Sequence, residues 1–192
     1  VGAELAAVLD AAGAESLAFL PALPKMNRVT RRGVHYIDGV PVADSVFGRD
    51  PFEPVTASSV AEILGAQTGK PVVLHPLDEA AAEPRPGIQV YDAETEGDLL
   101  RIGRTLGREG LTLSAGCAGF APVLAELLEL EGIPPGLPYL APSLVVACGS
   151  VNPVTLRQME AAESAGFPHI HLTPVQKLEA SWLETADCAA AT

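Results

Sequence analysis

The sequence contains few cysteines, few aromatic residues and no long uninterrupted apolar run. The three cysteines, Cys117, Cys148 and Cys188, are odd in number and lack CxxC spacing, which argues against a disulfide framework and against a zinc knuckle. A reducing, cytoplasmic setting is the simpler expectation. Prolines and glycines interrupt every apolar stretch before it reaches about 18 residues, so no transmembrane helix is predicted. No signal peptide is recognised either.

Basic residues are also scarce. The 192-residue chain has 12 lysines and arginines against 24 aspartates and glutamates, which gives a formal net charge of −12. This negative field repels phosphate-rich polymers and anionic bilayers, so we expect neither nucleic acid nor a membrane as a partner. Hydrophobic residues make up 48% of the chain and charged residues 19%, which excludes global disorder. The length indicates one domain or slightly more.

Apolar segments at helix and strand spacing alternate along most of the chain. A first helix is already in progress at Val1 and stops at Gly13, so we expect the sequence to be cut from something longer. Ser58 and Ser59 offer N-caps for a later helix, and Thr95 for another. This alternation implies a mainly parallel sheet with helices on both faces, a Rossmann-like α/β fold. The predicted strands of this part are 16–20, 71–75, 87–91 and 111–113, and the predicted helices are 1–12, 58–67, 95–108 and a segment that follows the small-residue turn 114–119 and runs to 130.

Residues 21–54 interrupt the alternation. Asp38-Gly39 is a hairpin signal between two short β-like runs, which predicts a β-hairpin excursion at about 29–42. Residues 25–49 also hold five of the 12 cations against two aspartates, a local net charge of +3. Arginine binds carboxylate and phosphate through paired hydrogen bonds, so this stretch is a candidate anion site. An ordinary solvated loop is the alternative, although loops this long are more often functional.

The proline-rich residues 132–142 predict a domain boundary, beyond which we expect strand 143–148, helix 154–165 and strand 167–172. The turn at Gly149-Ser150 feeds a helix N-terminus, where backbone N–H groups and the helix dipole favour a phosphate. Ser150 and Thr155 add hydroxyl donors. P-loop and dinucleotide motifs are absent, so an ordinary turn capped by Asn152 or Ser150 is the alternative.

Three further features carry weaker signals. His169 and His171 fall on one face of the last predicted strand, but no acidic or cysteine ligand at suitable spacing accompanies them, so no metal site is predicted. Asp92 follows strand 87–91 at its carboxyl end, where α/β sheets form ligand crevices, although a helix cap is an equal interpretation. The absence of a GxSxG elbow disfavours a serine hydrolase. The sequence singles out no catalytic residue.

Several blocks of the sequence, taken in order, resemble the four-carbon acid sugar kinase family. They are PALPxxNRVTRRGVHYIDGVPV, FGRDPFEPV, VYDAETEGDL, SAGCAGFA and VVACGSVNPVTLRQMEAA, and with GAEL near the start they extend to about Ala165. The blocks RDPFxPV and GSVNPVTxxQ are the most distinctive.

The resemblance implies an ATP-dependent kinase that phosphorylates a sugar acid such as threonate or erythronate, with Mg²⁺ accompanying the ATP. It implies that residues 1–140 are part of an acid-sugar-binding domain and that residues 143–192 begin a nucleotide-binding domain. The residues that it places on the substrate side are Arg28, His35, Arg49 and Asp50, and those that it places against the nucleotide are Gly149, Ser150, Asn152 and Thr155.

The family's DDxTG strand end, KTDSTxRG segment and GGDTA-like turn do not occur in these 192 residues. We therefore expect the chain by itself to bind little and to catalyse nothing. Two other interpretations stay open. One is a non-catalytic α/β module that binds a small anion, and the other is a different sugar-acid-metabolising enzyme that shares the fold. A homo-oligomer is compatible with each of them.

Overall fold

A computed structural model describes residues 1–50, 53–78, 85–133, 136, 145–150, 152–173, 176–177 and 180–184. The chain divides into two units, Val1–Pro134 and Pro135–Thr192. Within the described residues, no helix is both long enough and apolar enough to cross a lipid bilayer.

The centre of the first unit is a parallel sheet of four strands. These are β1 Ser16–Leu20, β5 Val72–His75, β6 Gly87–Tyr91 and β7 Ser114–Gly116. They lie in the order β5-β6-β1-β7, and every neighbouring pair is parallel. Four of the five residues of β6 are buried, as expected for a strand that is covered on both faces.

Helices cover both faces of this sheet. They are α1 Gly2–Ala12, α2 Val60–Gly65, α3 Glu96–Thr112 and α4 Ala121–Leu127. Because side chains alternate along a strand, Leu17 and Leu20 of β1 lie on opposite faces. Leu17 belongs to the core cluster of α1 and α2, and Leu20 to that of α3 and α4. The predicted α/β fold with helices on both faces is confirmed.

Local capping signals set the end of α1 and the starts of α2 and α3 where the sequence predicted them. Helix α1 ends at Gly13, which has a left-handed φ of 60°. Ser59 Oγ accepts a hydrogen bond from Glu62 N at 3.3 Å and caps α2. At the start of α3, Thr95 Oγ1 accepts from Asp98 N at 3.1 Å, while Asp98 Oδ2 accepts from Thr95 N at 2.9 Å. This reciprocal pair is a capping box.

A small antiparallel sheet occupies the excursion between β1 and α2. Its strands are β2 Arg28–Arg31, β3 Val34–Ile37 and β4 Val40–Pro41, which confirms the predicted hairpin at about 29–42. Both connections are two-residue turns with positive φ at each position, 48° and 72° for Arg32-Gly33 and 50° and 79° for Asp38-Gly39. This is the pattern of type I′ turns, and only the second was predicted.

Backbone hydrogen bonds fasten this antiparallel sheet beside the carboxyl end of β6. Thr30 N donates to Ala93 O at 3.0 Å, and Ala93 N donates back to Thr30 O at 3.1 Å. Val60 N donates to Gly33 O at 2.8 Å. The excursion is therefore hydrogen-bonded to the rest of the first unit, and its first turn lies next to the strand ends of the parallel sheet.

The last strand of the first unit lies later than predicted. Helix α3 continues past Gly107, whose φ of 62° kinks it, and it ends at Thr112. Leu111 is buried in the core as a helical residue. The strand expected at 111–113 is therefore wrong, and β7 forms at Ser114–Gly116. Helix α4 ends at Leu127, short of the predicted residue 130.

In the second unit the helix was predicted correctly and the strands were not. Helix α5 spans Pro153–Ser164, close to the predicted 154–165. Residues 145–150 and 167–173 have no regular structure, so the strands predicted at 143–148 and 167–172 are wrong over the described residues. A strand needs a neighbour that pairs with its backbone N–H and C=O groups. No strand of this unit is present among the residues that the structure describes.

Candidate functional site

A crevice opens at the carboxyl ends of β5 and β6, the edge at which α/β sheets commonly bind ligands. Its volume is about 240 Å³. Strand β2 and its turn contribute two arginines, the loop after β5 contributes an acidic residue, and the segment after β6 contributes two more. The lining residues are Arg31, Arg32, Leu77, Asp78, Asp92 and Glu94.

Asp92 holds the turn that carries the arginines. It is only 3% exposed, and its Oδ1 accepts a hydrogen bond from Gly33 N at 3.0 Å. The backbone N–H of Arg32 donates to the same carboxyl group. Arg32 has a φ of 48°, a conformation that costs a residue other than glycine about 1–2 kcal/mol. The buried carboxylate therefore offsets a strained backbone at the point where Arg32 enters the crevice.

The environment of Asp92 raises the pKa of its carboxyl group. Burial raises the pKa of this carboxyl and outweighs the two backbone hydrogen bonds, which lower the pKa. The nearby charges of Glu94 and Asp78 raise the pKa further. A carboxyl group with this tendency, set in a crevice, is a feature of ligand-binding and catalytic sites.

Carboxylates from other segments already pair with both crevice arginines. Arg32 Nη2 lies 3.1 Å from Asp78 Oδ2, and Arg31 Nη2 donates to Glu94 Oε2. The hydrogen bond to Glu94, followed by the charge of Glu94, raises the pKa of Arg31. The guanidinium of Arg31 also lies 5.8 Å from the ring centre of Tyr36. Two cations thus face three acidic groups, so the charge of these two arginines is compensated within the crevice.

A stacked pair of rings lies at the strand ends beneath the crevice. His75 of β5 and Tyr91 of β6 stack with ring centres 4.4 Å apart and planes at 10°. His75 Nε2 is 2.9 Å from Oε1 of the buried Gln89. Burial raises the pKa of Tyr91, so its phenol stays protonated at neutral pH. The stack and the hydrogen bond hold together the two strand ends that lead into Leu77 and Asp92.

The residues predicted for the substrate side form a second group on the antiparallel sheet. The guanidinium of Arg28 lies 5.2 Å from the ring centre of Phe47. His35 Nδ1 is 3.0 Å from Thr30 Oγ1. Burial, and then the charge of Arg28, lower the pKa of His35. Arg28 and Arg31 differ by three positions in β2, so they lie on opposite faces of that strand.

Arg49 and Asp50 follow Phe47 in the chain. Arg49 is exposed at the end of the 3-10 helix Val46–Arg49, and Asp50 Oδ1 accepts a hydrogen bond from Glu53 N at 2.9 Å. The structure therefore brings Arg28 and His35 together, joins them through Phe47 to the turn that carries Arg49, and places none of the four predicted substrate residues in the lining of the crevice.

The residues predicted for the nucleotide side surround the start of α5 in the second unit. Asn152 Oδ1 accepts from Val154 N at 2.8 Å, which makes Asn152 the N-cap. Ser150 Oγ accepts from Asn152 N at 3.1 Å. Gly149 is exposed, and Thr155 lies half-buried in the first helical turn. The start of α5 is thus capped by Asn152, and its role in nucleotide binding stays a prediction.

Two acidic residues of the crevice, Asp78 and Glu94, were not predicted from the sequence. Asp78 and Glu94 pair with arginines that are 46 and 63 positions away, and no local pattern reports such a distance. The usable signal was their position after β5 and β6, because the carboxyl ends of parallel strands meet at one edge. Asp92 was recognised by that same signal.

Replacing Asp92 by asparagine is expected to remove a pH dependence of stability. Because the pKa of Asp92 is raised, the folded protein holds this proton more tightly than the unfolded chain does. The resulting stabilisation is complete below the ordinary aspartate pKa of about 3.9 and is lost as the pH rises through the raised value. Urea unfolding at a series of pH values from about 4 to 7 should give a flatter profile for Asp92→Asn.

The matched control is Asp38→Asn, in the exposed second turn of the same antiparallel sheet. Its stability profile should keep the slope of the parent protein. In Asp92→Asn the amide oxygen can still accept from Gly33 N, so a loss of the fold is not expected. A stability profile for Asp92→Asn that runs parallel to that of the parent at all pH values would contradict the raised pKa of Asp92.

Comparison with known proteins identifies relatives of this chain. Residues 1–124 match the family described as sugar-binding N-terminal domain. A D-threonate kinase of Salmonella typhimurium is 32% identical over 178 residues, which are 86% of this chain and 41% of the relative. A D-erythronate kinase of Heliobacterium modesticaldum is 30% identical, over 86% of this chain and 40% of the relative. The chain therefore spans about two fifths of the length of these curated relatives.

Solved structures share the fold. A Haemophilus influenzae protein of the family DUF1537 has a TM-score of 0.60 at 19% identity, over 93% of this chain and 46% of its own. A DUF1537 domain from Bordetella bronchiseptica, with bound citrate and as a domain-swapped dimer, has a TM-score of 0.50 at 22% identity. That match covers 100% of this chain and 56% of the other.

Proposed function

Because the chain belongs to the four-carbon acid sugar kinase family, we propose that its first unit binds the sugar acid of an ATP-dependent kinase of threonate or erythronate type. The observation that carries this proposal is the crevice at the carboxyl edge of the sheet, into which one tight turn directs Arg31 and Arg32. A sugar acid offers one carboxylate and several hydroxyls. Arginine supplies the paired donors that a carboxylate accepts.

The ion pairs of the crevice suit an exchange of partners. Arg31 and Arg32 are both exposed, with side-chain exposures of 58% and 78%. An exposed ion pair contributes about 0–1 kcal/mol, so the carboxylate of a ligand can replace Asp78 or Glu94 at little cost. The displaced acidic groups then lie near the ligand, where they can accept hydrogen bonds from its hydroxyls.

We also propose that the antiparallel sheet contributes to the substrate side. Arg28, His35, Arg49 and Asp50 correspond to family blocks, and the stacking of Arg28 on Phe47 connects two of those blocks. Positive charge near a transferring phosphoryl group stabilises the charge that develops on its oxygens. Arg28 supplies such charge on the face of β2 opposite to Arg31, and Arg49 lies two residues after Phe47, over whose ring Arg28 sits.

For the nucleotide side we propose the start of α5, with Gly149, Ser150, Asn152 and Thr155 against the phosphates of ATP. The backbone N–H groups of a helix N-terminus favour a phosphate. Ser150 Oγ accepts from Asn152 N, which leaves its O–H able to donate to a phosphate oxygen. Mg²⁺ would arrive with the ATP phosphates, since proteins usually hold it through substrate phosphates and a few carboxylates.

The proposed setting is the reducing cytoplasm, which fits three cysteines without a pairing pattern. A homo-oligomer is part of the proposal too, and the domain-swapped dimer of the Bordetella bronchiseptica protein gives a precedent within the fold.

The test is a kinase assay on the complete gene product that carries these residues. We expect ATP-dependent phosphorylation of D-threonate or D-erythronate and none of threitol, the corresponding polyol without a carboxylate. Arg32→Gln should raise the KM for the acid by about tenfold or more, the scale of one charge-assisted hydrogen bond, and leave the KM for ATP unchanged. Ser150→Ala should weaken ATP binding by about 1 kcal/mol and leave the KM for the acid unchanged.

Arg104→Gln is the matched control, because Arg104 also forms an exposed pair, 3.3 Å from Glu126, between α3 and α4. It should leave both KM values unchanged. Binding of the acid without phosphate transfer would favour the non-catalytic anion-binding module. Failure to bind any four-carbon acid would contradict the proposal.

A further inference from the structure

Three side chains that commonly ligate metals converge in the second unit, and none of them has a role in the proposed kinase site. Glu163 lies in the last turn of α5, and His169 and His171 lie in the segment that follows it. One ligand atom from each lies within 4.8 Å of the other two. His171 Nε2 is 2.8 Å from Glu163 Oε1, and the two imidazole rings have centres 5.0 Å apart.

We propose that Glu163, His169 and His171 form a binding site for a late first-row divalent transition-metal ion such as Co²⁺, Ni²⁺ or Zn²⁺. Two imidazoles and one carboxylate are ligands that these ions prefer, whereas Mg²⁺ and Ca²⁺ select oxygen ligands alone. The site is therefore distinct in chemistry from any Mg²⁺ that accompanies ATP. Three protein ligands would leave further coordination positions open to water or to an external ligand.

The helix end that brings these residues together has a defined geometry. Gly166 N donates to Glu163 O at 2.9 Å, and Phe167 N donates to Ala162 O at 3.1 Å. With the left-handed φ of 85° at Gly166, these two bonds form a Schellman motif. The motif reverses the chain after α5 and returns the histidines to the last helical turn. The cluster thus follows from the local sequence and not from a long mobile loop.

A backbone carbonyl faces one ring nitrogen of His169. His169 Nδ1 lies 3.4 Å from Phe167 O. A carbonyl oxygen can only accept, so this contact favours a hydrogen on Nδ1, which in the neutral ring leaves the Nε2 lone pair available to a metal. A backbone carbonyl that fixes the tautomer in this way is a common outer partner of metal-binding histidines.

The other two ligands share a contact that a metal ion can replace. His171 Nε2 and Glu163 Oε1 are joined by a hydrogen bond, and both atoms can bind a metal ion once that hydrogen leaves Nε2, either for Nδ1 of the same ring or for solvent. Bonds of about 2.0–2.2 Å to a tetrahedral ion place its ligand atoms a little over 3 Å apart. The exposed His171 side chain and the half-buried Glu163 side chain need only small rotations to reach that spacing.

The experiment is a titration of the metal-free chain with Co²⁺ and Ni²⁺, followed by calorimetry and by the visible absorption of cobalt. We expect one saturable site, visible bands without the thiolate charge-transfer band that a cysteine ligand would give, and no competition from excess Mg²⁺. His169→Ala and His171→Ala should each lower the metal affinity at least about tenfold. Losing a residue that only hydrogen-bonds to a metal ligand already lowers metal affinity about 10–100-fold. Glu163→Gln, which keeps the size of the side chain, should do the same.

His75→Ala is the control, because His75 lies in β5 of the other unit and should leave the affinity unchanged. Far-ultraviolet circular dichroism of each variant checks that α5 is retained. Equal affinity in the parent and in all three cluster variants would overturn the proposal, and so would a thiolate band or a loss confined to His75→Ala. Since no step of the test uses ATP or a sugar acid, it is independent of the proposed kinase activity.

Discussion

Gly87→Ala should lower the free energy of unfolding by about 3–5 kcal/mol, from a clash with a neighbouring backbone and an unfavourable φ together. Gly87 opens β6, between β5 and β1, with a φ of 117°. A Cβ built there would lie 2.2 Å from Pro71 O and 2.9 Å from its carbonyl carbon. That carbonyl cannot withdraw freely, because it accepts from Ile88 N at 2.8 Å.

Two other glycines separate the causes of this loss. Gly13 has a φ of 60° and Gly65 lies at the end of α2, and a Cβ at either would meet no atom within 4 Å. Gly13→Ala should lower the free energy of unfolding by about 1–2 kcal/mol, because alanine is strained at this positive φ but meets no neighbour. Gly65→Ala should be neutral or stabilising by about 0.5–1 kcal/mol. Urea unfolding followed by circular dichroism measures all three, and a loss for Gly87→Ala no greater than for Gly13→Ala would rule out the clash.

Phe120→Ala should also lower the free energy of unfolding by about 3–5 kcal/mol, because removing this large buried ring leaves an enclosed cavity. Phe120 is 1% exposed and packs with Leu20, Leu99 and Val123 in the core beneath α3 and α4. Its ring also lies in contact range of a Cβ built at Gly103, 4.0 Å from Cε2. The surrounding helices are held by their own core contacts, so the cavity would collapse only in part.

Phe47→Ala is the control for this variant, since Phe47 is 38% exposed and its loss leaves no enclosed cavity. We expect its cost to be about 1 kcal/mol or less, as for most exposed substitutions. The same urea unfolding experiment compares the two. Similar losses of unfolding free energy for Phe47→Ala and Phe120→Ala would contradict the enclosed packing of Phe120.

Much of the first unit could be predicted because its signals are local. The stop at Gly13, the caps at Ser59 and Thr95 and the turn at Asp38-Gly39 each depend on a few adjacent residues. Strand β6 is a short apolar run with turn residues on both sides, and such runs predict buried parallel strands. These features fixed the α/β class before any contact was known.

The second unit shows where apolar runs mislead. Val145 and Val146 are 92% and 76% exposed, and Ile170 is 65% exposed. Their sequence is apolar and β-branched, which favours a strand. Burial and backbone pairing depend on a neighbouring strand, and propensity alone does not supply one. Over the described residues, the prediction of strands at 143–148 and 167–172 therefore failed although the composition was suitable.

The crevice was only partly predictable, for a related reason. The arginines were visible as a cationic stretch, and Asp92 was visible as a polar residue after a strand. The partners Asp78 and Glu94 arrive through the fold, from segments that do not adjoin the arginines. The Arg32-Gly33 turn was missed because arginine rarely adopts a positive φ, and it does so here with the help of Asp92.

The hydrogen bond from Gly33 to Asp92 spans 59 positions of the chain. A contact between distant positions requires the closure of a long loop, which costs conformational entropy. The arginine-bearing turn is therefore held in place only where Asp92, directly after β6, lies beside it. A ligand that requires this turn recognises the folded unit and not an unfolded chain, so its binding would add to the stability of the whole first unit.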